Sequence, residues 1–254
     1  MFYKIKKFKD SIILIYKATV QSKKFNIGYY LILRFMFDVL FVNTINMIKF
    51  KKLDINFFKY VNKNYNITYN WFNGKTHIWF FFIKKFKFLN KNIKVLELGS
   101  FEGLSIVFLF YLFNKKLVID SVDIINKNSK YYRNFLYNTK KINNLTFYNV
   151  WTKKFFNKKN NKKYNLIHID ASHYYRDVFF DAKKSFELLK KDGLMIFDDL
   201  VHNWTKKRPK NQGHTEFHNV VGGVLLFLEY VKTKKYKIKI LYVGTILILQ
   251  KKSI

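Results

Sequence analysis

The sequence predicts an α/β fold: strands alternating with helices, a mostly helical N-terminal extension, and a closing antiparallel hairpin. Three observations predict it. From Ile93 to Phe197, short aliphatic runs alternate with helix-length segments. A glycine turn, Gly99 to Gly103, lies between the first such run and an apolar helix. Eleven of the 16 acidic residues fall between Val95 and Leu200, several at the ends of the runs, where open α/β sheets bind ligands.

Residues 1–60 read as the helical extension and 61–254 as the main domain. Within the extension, Ser11–Tyr16 is a short apolar run and Phe25–Phe50 a long one. The long run has the length of a membrane span, but Arg34 and Asp38 interrupt it. Charges at the centre of a span cost roughly 2.5–3.5 kcal/mol each. At i,i+4 spacing the two can pair on a helix. A buried or membrane-leaning helix is therefore expected rather than a crossing one.

The main domain opens with aromatic residues from Tyr65 to Phe82 and a helix over His77–Phe88. Strands follow at Lys94–Leu98, Leu117–Val122, Leu145–Val150, Asn165–Ile169 and Leu194–Phe197. Helices are predicted at Leu104–Phe113, Ser129–Asn138, Val178–Lys190 and Val220–Lys232. The tail KIKILYVGTILILQKK reads as two apolar strands around Val243-Gly244.

Composition bounds the chemistry. The chain of 254 residues has no cysteine, which excludes disulfides, thiolate metal sites and a cysteine nucleophile. The net charge of +32 invites a nucleic-acid partner. Only four of the 48 basic residues are Arg, however, and readers of nucleic acid favour Arg for bidentate contacts. The abundance of Lys, Asn, Ile, Phe and Tyr is what AT-rich codons produce. Such a surface still attracts polyanions or anionic membrane nonspecifically at low salt. The start, MFYKIKKFKD, is not followed by a cleavable signal pattern, so the expected compartment is the cytoplasm, with membrane association through that charge.

The candidate site gathers at strand ends. In Glu97-Leu98-Gly99-Ser100-Phe101-Glu102-Gly103, the glycines let backbone approach a ligand and the following helix offers free N–H groups. Asp123 closes the second strand, about 20 residues on, where an acid accepts hydrogen bonds from the ribose hydroxyls of an adenosine cofactor. Asp120 competes for that role but falls mid-strand. Asp170 closes the fourth strand, and Asp198 and Asp199 close the fifth. Three carboxylates brought together repel unless protonated or bridged by a hard cation such as Mg²⁺. His173 can act as a general base, or can hold the loop or a carboxylate in place. His168 is mid-strand and reads as core. His202, His214 and His218 lie in a loop that can reach the site.

At these residues the chain resembles the class I S-adenosylmethionine-dependent methyltransferases, in particular the small O-methyltransferases of methyltransferase family 24. WFNGKTHIW is similar to that group's aromatic lead-in, VLELGSFEGLS to its first cofactor motif, IDASH to its strand-four motif and GLMIFDDL to its strand-five motif. The resemblance implies a Rossmann-like seven-stranded sheet with helices on both faces and an antiparallel last strand. It implies that Glu97, Gly99 and Phe101 line the methionine side of S-adenosylmethionine and that Asp123 holds the ribose. It places Asp170, Asp198 and Asp199 where metal-dependent relatives carry their ligands, and His173 where the catechol enzymes carry a catalytic lysine. Ala171 and Asp192 stand where the family has Gly. The implied activity is O-methylation of a small-molecule or sugar hydroxyl. A nucleic-acid methyltransferase is the alternative that charge suggests. Against it, Asp170-Ala171-Ser172-His173 replaces the Asn/Asp-Pro-Pro-aromatic motif of amino-group methylation. A non-catalytic binding protein at a membrane surface is the other alternative. Acceptor choice is expected in the N-terminal region and in the loop Val201–Asn219.

Overall fold

The computed structural model describes residues 2–113, 116–157, 162–201 and 220–252. Its strands form one seven-stranded sheet in the order β3-β2-β1-β4-β5-β7-β6. They are β1 (Ile93–Leu98), β2 (Leu117–Asp123), β3 (Leu145–Asn149), β4 (Tyr164–Ile169), β5 (Leu189–Phe197), β6 (Ile238–Val243) and β7 (Leu247–Lys251). The chain folds as two compact units, residues 41–171 and residues 1–40 with 172–254.

In the unit of residues 41–171, β1 pairs in parallel with both β2 and β4, and β2 with β3. A strand hydrogen-bonded on both edges and covered on both faces reads as a continuous apolar run. Accordingly Val95, Leu96 and Leu98 of β1 are all buried. Helix α6 (Leu104–Phe113) is apolar almost all round, as a helix buried on most sides must be, and packs on β2. Helix α7 (Lys130–Thr139) starts where Ser129 accepts a hydrogen bond from the Tyr132 N–H at 3.2 Å, a side-chain cap for an otherwise orphaned donor. Helices α3 (Thr44–Lys49), α4 (Lys51–Asn64) and α5 (Thr76–Lys85) pack on one another. Among them the buried Thr76 donates to Asp54, and His77 meets Asn43 Oδ1 at 2.9 Å. A short helix, α8 (Thr152–Asn157), follows Trp151 and was not expected from the sequence.

In the other unit, α1 (Phe2–Ser22) packs on α2 (Phe25–Phe37), and both pack on α10 (Val220–Thr233). Helix α9 (Tyr175–Leu188) also packs on α10 and runs straight into β5 without a loop. The expected start of β5 at Leu194 is therefore five residues late. Leu189 already has extended backbone and is buried. Asp192, in left-handed backbone at φ 59°, marks a local twist within the strand. This is the position where the family resemblance leads one to expect Gly, and Asp is among the residues that tolerate this conformation. Lys251 Nζ donates to the carbonyls of Phe186 and Leu189 at 2.8 and 2.9 Å, satisfying acceptors at the end of α9. Strands β6 and β7 form the expected antiparallel hairpin, and β7 pairs antiparallel with β5.

Strand β6 is the sheet edge, and α2 covers it with side chains. Arg34 and Asp38 pair at 2.9 Å, as their i,i+4 spacing predicts. Arg34 also donates to the Leu241 carbonyl at 3.0 Å, while Asp38 accepts from the Val243 N–H at 2.9 Å. One ion pair thus satisfies a donor and an acceptor on the open edge, as a neighbouring strand would. Asp38 is fully buried, and burial pushes its carboxyl pKa up against the pull of the Val243 N–H and Arg34.

Asp38→Ala leaves Arg34 and the Val243 amide without their acceptor. Breaking a buried pair in this way costs about 3–5 kcal/mol. Thermal unfolding is expected to show a lowered Tm, and hydrogen exchange at the Val243 amide is expected to accelerate. Asp38→Asn should fall between, because its amide oxygen still accepts from Val243.

Candidate active site

The first half of the site is built by the way β1 ends. The Gly99 N–H donates to the Val122 carbonyl at 2.8 Å, and the Asp170 N–H donates to the Leu98 carbonyl at 2.7 Å. The central strand is thereby tied to both neighbours at its last residue. Gly99 has φ 85°, and a Cβ there would overlap the carbonyl oxygen of Asp170. Glycine is needed here both for conformation and for space. Gly103, at φ 81°, closes the turn by donating to the Ser100 carbonyl at 2.7 Å.

Asp123 holds the turn between these glycines. Its Oδ2 accepts from the backbone N–H groups of Ser100 and Phe101 at 2.8 and 2.7 Å, and its Oδ1 from Ile124 at 2.6 Å. The residue assigned to ribose is thus also the residue that shapes the loop. A carboxylate offers about four acceptor positions, so three amides leave room for another donor. Ser100 also bonds through its hydroxyl to Ser121, inside β2. Phe101 sits at φ 46°, an uncommon backbone for a bulky residue.

Glu97 lies beneath the turn and is fully buried. Its Oε1 accepts from Ser105 and faces His168 Nδ1 at 3.1 Å. Its Oε2 has no hydrogen-bond partner among the described residues. A buried carboxylate oxygen without a donor is costly. His168 is core, as expected, with the buried Trp79 ring edge-on at 4.7 Å.

Glu102 has a role the sequence did not reveal. Its carboxylate accepts from the Thr68 N–H and hydroxyl, each at 2.7 Å, and from Asn134 at 2.6 Å. Asn138 reinforces this latch, donating to the carbonyls of Glu102 and Asn66 at 2.8 and 3.0 Å. The segment so held carries Tyr69 and Trp71. Trp71 stacks on Phe101 at 4.7 Å and on Tyr69 at 5.3 Å, and Tyr131 meets Phe101 at 4.8 Å. An acid beside two glycines was the visible signal, but its partner lies 34 residues upstream. Asp120 makes a separate cluster, accepting from Lys162 and from Tyr164 at 2.8 Å.

The remaining candidates follow their expected strands. Asp170 directly follows β4. In the unit that contains β5, Asp198 is buried and its Oδ1 accepts from the Asp199 N–H at 2.7 Å. Asp199 takes left-handed backbone at φ 50°, and its Oδ2 lies 3.5 Å from His173 Nε2. Ser172 donates to Asp177 at 2.9 Å and accepts from the Tyr174 N–H at 3.3 Å, folding the Asp-Ala-Ser-His turn onto the start of α9. Carboxylate oxygens on Asp170, Asp198 and Asp199 are the donor type a hard divalent cation takes. The loop Val201–Asn219, with His202, His214 and His218, lies outside the described residues from 202 onward.

Comparison with known proteins bears on the fold. Residues 96–200 match methyltransferase family 24, described as a methyltransferase domain. No curated protein matches the sequence. A structure assigned as an O-methyltransferase from Klebsiella pneumoniae superposes with a TM-score of 0.56 at 14% identity, covering 83% of this chain and 97% of that one. One assigned as a caffeoyl-CoA O-methyltransferase from Staphylococcus aureus gives 0.54 at 18% identity, over 83% and 99%. An O-methyltransferase from Bacillus cereus, solved in complex with SAH, gives 0.52 at 12% identity, over 81% and 90%. The fold is that of the class I S-adenosylmethionine-dependent methyltransferases.

Gly99→Ala and Gly74→Ala provide an internal comparison. Both glycines have positive φ, but a Cβ on Gly74 meets nothing within 4 Å. Gly74→Ala should cost only the conformational penalty, about 1–2 kcal/mol. Gly99→Ala adds overpacking against the Asp170 backbone, about 1–3 kcal/mol more. Denaturant unfolding of the two variants should separate by that margin.

Proposed function

We propose that the protein transfers the methyl group of S-adenosylmethionine to a hydroxyl oxygen of a small molecule or glycan. The observation that carries the proposal is the turn after β1, clasped by Asp123 and underlain by a buried Glu97 with an unsatisfied oxygen. When bound, the cofactor supplies a sulfonium methyl, and a divalent cation such as Mg²⁺ supplies charge that lowers the pKa of an acceptor hydroxyl.

The chain's residues divide the work. Asp123 keeps acceptor capacity for ribose hydroxyls, and Glu97 Oε2 suits the ammonium group of the methionine part. Backbone at Gly99, Ser100, Phe101 and Gly103 forms the close-approach surface, since glycine leaves no side chain in the way. Asp170, Asp198 and Asp199 are the oxygen donors that would hold the cation. His173, or Asp170 itself, accepts the hydroxyl proton as the O–CH₃ bond forms and the S–CH₃ bond breaks. The Asp199 carboxylate lies 3.5 Å from His173 Nε2, close enough to orient the imidazole. Displacement at a methyl needs attacking oxygen, carbon and sulfur in line, so positioning supplies much of the rate.

Calorimetry should record binding of S-adenosylmethionine or its demethylated product in the micromolar range, about −8 kcal/mol. Asp123→Ala should weaken it by about 1.5–3 kcal/mol, with Glu97→Gln weakening it as well. A folded wild type that gives no heat contradicts the cofactor assignment.

Turnover should fall in chelator and return with added Mg²⁺. Asp199→Asn should be milder than Asp170→Ala, because an amide oxygen still coordinates a hard cation. His173→Ala should lower kcat with cofactor affinity nearly unchanged. Undiminished turnover in excess chelator would leave His173 and Asp170 as a metal-free base pair.

A further inference from the structure

The helix from Phe25 to Lys49 is apolar on two opposite sides, and the fold uses only one of them. It is continuous over 25 residues and is long and apolar enough to cross a membrane by length and composition, yet little of it is buried. Its inner side carries Gly28, Leu31, Phe35 and Asp38, all buried. Its outer side carries Tyr29, Leu33, Met36, Leu40, Ile45 and Ile48, each between 40% and 70% exposed. These six are spaced by 4, 3, 4, 5 and 3 residues, and the step of five spans the π-helical turn Asp38–Asn43. They form one stripe along about 28 Å of helix, at 1.5 Å per residue. On α1, the exposed Ile13, Tyr16 and Val20 add to the apolar surface. A helix at a water-facing surface puts polar residues outward, so this stripe calls for an apolar neighbour.

We propose that this face docks on the surface of an anionic lipid bilayer, with the helix lying in the interface. Three features commit the proposal to lipid. The helix is flanked by Lys23 and Lys24 at one end and by Lys49, Lys51 and Lys52 at the other, all but the last-turn Lys49 lying just outside it. Asp38, the one acid within the helix, faces inward and is paired with Arg34, so the outer side opposes no negative charge. A second copy of the chain brings the same lysines and another net charge of +32, so face-to-face association sets like charges together. Lipid phosphates complement those lysines, and amphipathic basic helices use this arrangement. The docking lies in plane because Arg34 and Asp38 fasten the inner side to Leu241 and Val243 of β6. A crossing helix would have to surrender that edge.

The test uses full-length protein and vesicles of phosphatidylcholine, with and without phosphatidylserine. Because so basic a chain adheres to any anionic surface, the informative variant keeps every charge: Leu33→Asn, Leu40→Asn and Ile48→Asn together. Wild type should cosediment with the anionic vesicles, and the triple variant should partition about 10-fold less or weaker, with unchanged circular dichroism. Since the chain has no cysteine, Leu33→Cys can carry a polarity-sensitive dye, whose emission should shift blue on anionic vesicles. Wild-type protein left in the supernatant, a triple variant that binds like wild type, or a dye that does not shift each overturns the proposal. So does a lipid-free dimer that the triple variant abolishes, because a second copy would then cover the stripe. Protein that resists carbonate extraction from membranes overturns the in-plane arrangement in favour of a span.

Discussion

The candidate site depends on how the central strand stops. Leu98 and Gly99 spend their backbone groups on Asp170 and Val122, so the chain must leave β1 at a point where both neighbours are already in contact. No side chain fits at Gly99, because the Asp170 carbonyl occupies its space. The next two amides, of Ser100 and Phe101, would be orphans at the head of α6, and Asp123 takes both. From that single arrangement follow the floor of the site at Glu97, its rim at Asp123 and the aromatic stack that Phe101 anchors. If Asp123 holds the ribose as proposed, its clasp on the loop links cofactor affinity to loop order. A change at Asp123 therefore acts on two levels at once.

A second constraint lies at the other end of the sheet. An open edge strand invites pairing with another chain, and β6 is such an edge. The chain answers with a helix rather than a strand, using an ion pair whose two ends match one carbonyl and one N–H. Buried ion pairs are weak stabilisers compared with apolar residues of the same shape, but they fix register. Arg34 and Asp38 can meet Leu241 and Val243 in one alignment only. That alignment decides which side of α2 is inside, and therefore which apolar residues are left outside.

Most of the α/β rhythm was legible because its central strands, β1 and β4, are largely buried. Short, mostly aliphatic runs such as IKVLEL and YNLIHI, bounded by polar residues, have few other readings. The Arg34–Asp38 pairing was legible for the same local reason, since i,i+4 spacing on a helix brings charges together whatever surrounds them. Local signals failed where a distant partner decides. Leu189–Asp192 looks like the end of a helix and a turn, yet it begins β5. Helix α8 is too short for periodicity to show. Glu102 reads as one more residue of a glycine turn until Thr68 and Asn134 close on it.

The sequence by itself determined the order of elements, the glycines that a tight strand-to-helix turn requires, and the acids that end the strands. These are consequences of backbone sterics and of which residues can be buried, and both act over a few neighbouring positions. Only the tertiary structure decided what each acid does. Asp120 became a buried partner of Lys162 and Tyr164, Asp123 a loop clasp, Glu97 a floor with one open oxygen, and Asp38 the lock on a sheet edge. All four are acids in an apolar context, and nothing in their flanking residues separates them. A carboxylate's role is set by the donors that reach it, and deciding ones lie far off in sequence: Phe101 is 22 residues from Asp123, Lys162 is 42 from Asp120 and Val243 is 205 from Asp38.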